Sequence, residues 1–151
     1  MAKKKMLFIY NPKAGKGQIK NNLSDIIDIF VKAGNEVTVY PTQYAGDAVR
    51  MAAEKSKKYD LLVCSGGDGT LDEVVTGIMQ SNKLVPVGYI PAGSTNDFAN
   101  SLGIPKNMKA AAETVVDGRL FACDIGAFND DTFVYIAAFG LFTDVSYETK
   151  Q

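Results

Sequence analysis

The sequence contains no histidine at all and only two cysteines among its 151 residues. Without histidine, imidazole-based catalysis and histidine metal ligands are excluded within this chain. Its chemistry must therefore come from carboxylates, hydroxyls, lysines and backbone amides. Cys64 and Cys123 both lie in apolar runs, which predicts small buried residues of a reduced, cytoplasmic protein and neither a disulfide framework nor a metal site.

An excess of charge of either sign is also missing. The chain has 16 basic and 17 acidic residues, for a net charge of −1, so no basic balance indicates a nucleic-acid partner. No apolar run approaches the roughly 20 residues that span a bilayer. The apolar stretch after the basic start at 1–5 is too short for a signal peptide. Hydrophobic residues at 46% and charged residues at 22% are typical of a globular protein.

Short apolar runs alternate with segments of helical periodicity through the first 118 residues. The pattern predicts strands at 6–10, 36–40, 60–65 and 85–90, each followed by a helix. This alternation predicts an α/β fold, a parallel sheet with helices on both faces. Three glycine-rich turns follow predicted strands, so they belong to the carboxyl edge of the sheet, where such folds bind their ligands.

The alternation stops after residue 118. Two strand-like runs at 120–125 and 133–139 flank a polar linker at 127–131, which predicts an antiparallel hairpin. We therefore expect a nucleotide-binding α/β domain at 1–118 and the beginning of a β-rich second domain at 119–151. Open strand edges in that second part favour self-association, and we expect a homodimer.

The strongest chemical motif is GGDGT at 66–70, directly after the third predicted strand. Its glycines let the backbone take positive φ and approach a ligand closely. Free amides in such a turn, together with the dipole of a helix starting near Thr70, suit a phosphate group. Asp68 would repel phosphate unless a cation such as Mg²⁺ lies between them. The structural alternative is a tight turn in which Asp68 caps the helix.

Two further turns point to the same chemistry. NPKAGKG at 11–17 offers amides and two lysines to phosphate, although it is not a P-loop and a plain turn explains it equally well. PAGSTNDFA at 91–99 places four polar residues in succession, more than a helix cap requires. There, Ser94 and Thr95 can donate hydroxyl hydrogen bonds to phosphate, and Asn96 and Asp97 can do the same or hold metal-bound water.

In this order, the three motifs resemble the diacylglycerol kinase catalytic-domain family, whose relatives include bacterial lipid kinases and sphingosine kinases. The GGDGT motif alone is shared with NAD kinases, whereas STNDFA at 94–99 is specific to the lipid kinases. The resemblance implies an ATP- and Mg²⁺-dependent kinase that transfers the γ-phosphate to a lipid or lipid-like alcohol. The alternatives are an NAD kinase relative and a non-catalytic nucleotide-binding module.

The resemblance also implies site residues. The ATP site would be lined by Asn11, Pro12, Lys13, Ala14, Gly15, Thr42, Gly66, Gly67, Asp68, Gly69, Thr70, Leu71 and Thr95, with Asp47 closing one wall. The three acidic residues that organise Mg²⁺ through water would be Asp68, Asp97 and Asp124. Asp68 is the implied catalytic residue, although bacterial members use an acidic residue far into the second domain as the general base.

Family members are considerably longer than this chain, so we expect it to be a poor catalyst alone. A lipid substrate implies transient, peripheral contact with a membrane surface. The lysines available for a basic face are Lys3, Lys4, Lys5, Lys13, Lys16 and Lys20. The alternative is that these lysines are simply solvated.

Overall fold

The computed structural model describes residues 3–118, 126–128 and 131–133. The strands of its main sheet are β1 (Lys4–Tyr10), β2 (Asn35–Pro41), β3 (Leu61–Gly66) and β4 (Val87–Pro91). The helices are α1 (Ile19–Lys32), α2 (Asp47–Lys55), α3 (Asp68–Gln80), α4 (Asp97–Leu102) and α5 (Met108–Asp117). A 3₁₀ turn (Ser56–Lys58) follows α2, and two short strands, β5 (Gly126–Phe128) and β6 (Asp131–Phe133), form a separate pair.

The four strands of the main sheet are all parallel and lie in the order β2-β1-β3-β4. The predicted α/β fold with a parallel sheet is thereby confirmed. The chain leaves β1 toward β2 on one side and then crosses to β3 on the other side. The order therefore reverses between β1 and β3, and the crevice at such a reversal is where open α/β sheets bind ligands.

Helices cover both faces of the sheet. α1 and α5 pack together on one face, and α2 and α3 pack together on the other. In β1 the four residues Met6–Ile9 are completely buried, as expected for a parallel strand that is covered on both sides. The inward stripe of α1 consists of Ile19, Ile26 and Phe30, at the spacing that a 3.6-residue turn requires.

The start of α3 differs from the prediction. The helix begins at Asp68, two residues before Thr70, and Gly67 is its N-cap in an extended conformation (φ −82°, ψ −174°). The tail of the GGDGT motif is thus the first turn of a helix. Asn107 caps α5, because its Oδ1 accepts a 2.9 Å hydrogen bond from the amide of Ala110.

An antiparallel pair is present near the predicted hairpin, but its bounds differ. Gly126 pairs with Phe133, and Phe128 pairs with Asp131. The predicted linker at 127–131 was therefore too long, because polarity alone overestimates a loop when a hairpin needs only two connecting residues. Of the strand runs predicted at 120–125 and 133–139, only Phe133 is described, as the last residue of β6; Cys123 and Asp124 lie outside the described residues.

Two further expectations concern the surface and the interior. Lys4 and Lys5 begin β1, whereas Lys13 and Lys16 follow its far end, about 20 Å away at roughly 3.3 Å per residue, so a shared basic face stays a prediction. Cys64 is buried as predicted; burial, and to a lesser degree Asp72, raise the pKa of its thiol. Within the described ranges, no helix has the length and apolarity to cross a bilayer.

Candidate functional site

The connectors that follow the four parallel strands meet at the carboxyl edge of the sheet. Three of them begin with a backbone hydrogen bond to a neighbouring strand. The amide of Asn11 donates to the carbonyl of Ser65 at 2.9 Å, and the amide of Ala92 donates to the carbonyl of Gly66 at 2.9 Å. The amide of Thr42 likewise donates to the carbonyl of Tyr10 at 2.9 Å. The edge is therefore a continuous, hydrogen-bonded floor.

Gly66 and Gly67 of the GGDGT motif lie at close contacts. None of them has a positive φ, so the expectation of a left-handed turn is wrong. A Cβ on Gly66 would overlap the side chain of Thr70, and a Cβ on Gly93 would stand 2.6 Å from the Cα of Gly67. Glycine is required here because two backbones approach each other and leave no space for a side chain.

A left-handed residue of the site that is not glycine is Asn96, with φ +50°. Its Oδ1 accepts a 2.8 Å hydrogen bond from the amide of Gly93, and its Nδ2 donates to the carbonyl of Gly93 at 2.9 Å. Asparagine tolerates this backbone conformation because its short amide bonds locally. The side chain of Asn96 therefore closes the connector after β4 upon itself.

Two of the residues predicted to organise the metal, Asp68 and Asp97, are in direct contact. The amide of Asp97 donates to Asp68 Oδ2 at 3.0 Å. The other oxygen, Asp68 Oδ1, is buried and accepts no hydrogen bond from any described residue. A buried carboxylate oxygen without a partner is costly, and a cation or its bound water satisfies it. The same described ranges contain no cluster of three metal-binding side chains.

Tyr89 holds the end of β3 through a hydrogen bond to Gly66. Its buried hydroxyl donates to the carbonyl of Gly66 at 3.0 Å. Burial raises the pKa of Tyr89, and the nearby Cys64, Asp68 and Asp72 raise it further. The hydroxyl therefore stays protonated and holds the end of β3 in place beneath the motif.

Two cavities open at this edge. The first, of about 300 Å³, is lined by Asn11, Pro12, Lys13, Thr42, Gln43, Tyr44, Ala45, Ala48, Thr70 and Glu73. The second, of about 350 Å³, is lined by Gly15, Lys16, Gln18, Ala92, Gly93 and Ser94. Both are bordered by the connector after β1, so that connector separates them.

A buried carboxylate holds the outer wall of the first cavity. Asp47 is completely inaccessible, and its Oδ2 accepts 2.8 Å hydrogen bonds from the Tyr40 hydroxyl and the Gln43 amide. Arg50 binds the other oxygen through Nε at 3.0 Å and Nη2 at 2.8 Å. Burial opposes ionisation of Asp47, but the Gln43 amide, Tyr40 and Arg50 outweigh it and lower its pKa.

The structure distributes the predicted site residues unevenly. The first cavity collects Asn11, Pro12, Lys13, Thr42 and Thr70, and the second collects Gly15 and Ser94. Ala14 lies in the turn that Asn11 closes, at 3.2 Å between amide and carbonyl.

Two other predicted residues, Leu71 and Thr95, make contacts elsewhere in the protein. The side chain of Leu71 belongs to the core, with 2% of its surface exposed, so only its backbone can face a ligand. The carbonyl of Thr95 accepts a 2.9 Å hydrogen bond from Asn100. Asp124 is outside the described residues.

Five residues of the first cavity were not predicted: Gln43, Tyr44, Ala45, Ala48 and Glu73. They belong to the connector after β2 and to the helices α2 and α3, where no motif marks them. The available signal was topological, since every connector at the carboxyl edge of a parallel sheet is a candidate for ligand contact.

Comparison with known proteins is consistent with this geometry. Residues 5–128 match the family model described as the diacylglycerol kinase catalytic domain. The chain is 40% identical over 148 residues to a diacylglycerol kinase of Staphylococcus saprophyticus, covering 97% of this chain and 48% of the relative. A diacylglycerol kinase of Staphylococcus aureus is 42% identical over 149 residues, covering 97% of this chain and 47% of the relative.

Solved structures give the same result. A crystal structure of a diacylglycerol kinase from Bacillus anthracis superimposes with a TM-score of 0.75 at 32% identity, covering 85% of this chain and 44% of that one. A second structure from that organism gives a TM-score of 0.80 at 32% identity, covering 87% of this chain and 45% of that one. The chain spans about half the length of the relatives it matches. It belongs to the diacylglycerol kinase catalytic domain family.

Proposed function

We propose that this chain is the nucleotide-binding half of a lipid kinase, which transfers the γ-phosphate of ATP to the hydroxyl of a diacylglycerol-like lipid alcohol. The observation that carries the proposal is the convergence of three motifs at one sheet edge, where two cavities open and the amide of Asp97 donates to Asp68 Oδ2. A kinase of this kind needs positioning of ATP and neutralisation of its charge more than covalent chemistry from the protein.

ATP suits the two cavities. The amide of Thr70 donates to the Gly67 carbonyl at 3.1 Å, so the helix amides that remain for a phosphate are those of Asp68 and Gly69, which precede it in α3. Thr70 itself lines the first cavity. Lys13 lines the first cavity and Lys16 lines the second, so positive charge stands on both sides of the connector after β1. Helix amides and lysines together form an anion-binding surface of the kind that holds phosphate groups.

Mg²⁺ suits the pair formed by Asp68 and Asp97. Asp68, with its unpartnered Oδ1, and the adjacent Asp97 would hold the ion, with Asp124 as a third proposed contributor. Few protein ligands and several waters are the usual arrangement for Mg²⁺ at phosphate sites. When bound, the ion neutralises charge on the phosphates. We propose Asp68 as the carboxylate on which transfer depends.

In the proposed reaction, the oxygen of the acceptor hydroxyl forms a bond to the γ-phosphorus, and the bond to the β-phosphate oxygen breaks. ADP leaves, and the hydroxyl proton passes to a carboxylate base. We propose further that residues 1–118 form the nucleotide domain and that the β-rich part from 119 contributes to the acceptor side. Contact with a membrane surface would then be transient, and a homodimer is a separate proposal.

Calorimetry of ATP binding, with and without Mg²⁺, tests the proposal. We expect wild-type chain to bind ATP more tightly with Mg²⁺, and Asp68→Asn to lose that dependence. The matched control is Asp28→Asn, which removes an equally negative carboxylate from an exposed pair with Lys32 on α1. An Asp68→Asn chain with unchanged Mg²⁺ dependence, or a wild-type chain that binds no ATP, would contradict the proposal.

A further inference from the structure

Tyr44 is an exposed aromatic residue that is nevertheless held in place. It lines the first cavity, and 59% of its surface is accessible. Its hydroxyl accepts a 3.0 Å hydrogen bond from Arg50 Nε. An exposed side chain without such a contact exchanges rotamers within nanoseconds, so the hydrogen bond restricts where the ring can lie.

Arg50 is itself fixed by the interior of the protein. Its guanidinium binds the completely buried Asp47 through two nitrogens, at 2.8 Å and 3.0 Å, and donates to the Tyr40 hydroxyl at 3.0 Å. The hydrogen bonds to Asp47 and Tyr44 raise the pKa of Arg50, so it stays charged. Asp47, Arg50 and Tyr44 therefore form a rigid connection from the core to the cavity rim, named here the Arg50 strut.

The connector beside the strut is held as well. The amide of Gln43 is bound by Asp47 at 2.8 Å, and the amide of Asp47 donates to the carbonyl of Tyr44 at 3.1 Å. Gly46 supplies the left-handed backbone (φ +89°) that starts α2. The wall that carries Tyr44 is thus formed before any ligand arrives, which lowers the entropy cost of binding.

The two cavities differ in chemistry. The second offers Lys16, Ser94 and glycine backbone, groups that suit phosphate. The first also has polar groups, among them Lys13 and Thr70, but it adds the Tyr44 ring together with Pro12, Ala45 and Ala48. Aromatic and apolar groups suit the flat face of a nucleotide base, which stacks on aromatic rings.

We propose that Tyr44 is the base-stacking residue of the first cavity and that Arg50 is a positioning residue that holds its ring there. The inference rests on the proposed ATP binding, and it adds the residues that recognise the base. Lysine cannot take the place of Arg50. A single ammonium nitrogen cannot bind Asp47, Tyr40 and Tyr44 at once with the fork geometry of a guanidinium.

The test measures binding of Mg-ATP and of inorganic triphosphate, which lacks a base, by calorimetry. Tyr44→Ala should weaken ATP binding about tenfold, the effect of losing one base–aromatic stack, and leave triphosphate binding unchanged. Arg50→Lys and Tyr44→Phe should each weaken ATP binding less than Tyr44→Ala. In the Tyr44→Ala background, Arg50→Lys should have no further effect on ATP.

Thermal melting separates positioning from stability, since Arg50→Lys should lower the melting temperature equally in both backgrounds. If the wild type binds ATP but Tyr44→Ala does not weaken it, or weakens triphosphate equally, the inference is wrong and the proposed function stands. If Arg50→Lys weakens ATP equally in both backgrounds, Arg50 has no positioning role. If the wild type binds triphosphate as tightly as ATP, or binds neither ligand, both the inference and the proposed function fail.

Discussion

Helix α3 contains two glycines, and replacing each by alanine should shift stability in opposite directions. Alanine is favoured over glycine in a helix by about 0.5–1 kcal/mol, so both substitutions share that gain. Around Gly69, no heavy atom lies within 4 Å of an added Cβ beyond its own helix backbone. Around Gly77, an added Cβ would stand 2.6 Å from Ala52 Cβ and 2.9 Å from the Ala53 amide.

The packing at Gly77 decides the sign of its effect. Nonbonded carbon atoms rest at about 3.5–4.0 Å, so α2 would have to retreat from α3 by roughly 1 Å. Such overpacking costs about 1–3 kcal/mol. The obstructing atoms include the Val49 carbonyl, which cannot rotate away, so the upper end applies. After subtraction of the helix gain, Gly77→Ala should destabilise by about 2 kcal/mol, whereas Gly69→Ala should stabilise by about 0.5–1 kcal/mol.

Urea denaturation and thermal melting, both followed by far-ultraviolet circular dichroism, measure these shifts. At about 2–4 °C per kcal/mol for a chain of this size, the melting temperature should fall by about 4–8 °C for Gly77→Ala and rise by about 1–4 °C for Gly69→Ala. If both variants shifted in the same direction, helix propensity and not the α2–α3 contact would control this helix, and the reasoning would be refuted.

Two further predictions concern titratable groups. The folded pKa of Asp47 is lowered, so its hydrogen bonds add stability above its unfolded pKa, and this stability is lost as the pH falls through the folded value. In urea titrations, Asp47→Asn should be less stable than wild type near neutral pH and lose less stability below about pH 5. Burial raises the pKa of Cys64, so in a Cys123→Ser background a thiol reagent should label Cys64 only at the rate of unfolding.

Local sequence signals were sufficient for the order of strands and helices but not for the sheet order. Hydrophobic periodicity predicted β1 and α1, because each buries an apolar side that is set by its own residues. The order β2-β1-β3-β4 depends on long-range packing among strands of similar apolar composition. Nothing in one sequence distinguishes those pairings. The start of α3 was placed two residues too late because the glycines were expected to form a turn with positive φ, whereas Gly67 is extended and caps the helix.

The sequence predicted the candidate site residues that belong to a motif. It missed those whose position depends on tertiary contacts. The motif residues do converge at one edge, but Asn96, predicted to bind the cofactor, binds the backbone of Gly93 with both side-chain polar atoms. Tyr44 was missed because its place depends on Arg50 and on the buried Asp47. Such a network depends on the packing of α2 against β2, which no local pattern reports.

The three motifs act as one unit because they touch. A Cβ on Gly15, in the first motif, would overlap the Ala92 carbonyl of the third, and Gly93 of the third packs on Gly67 of the second. The contact of Gly93 with Gly67 brings the amide of Asp97 to Asp68 Oδ2 at 3.0 Å. Gly15, Gly67 and Gly93 are therefore needed where one connector touches another. It follows that a side chain added in one connector will disturb the carboxylates held by another, although the residues are far apart in the sequence.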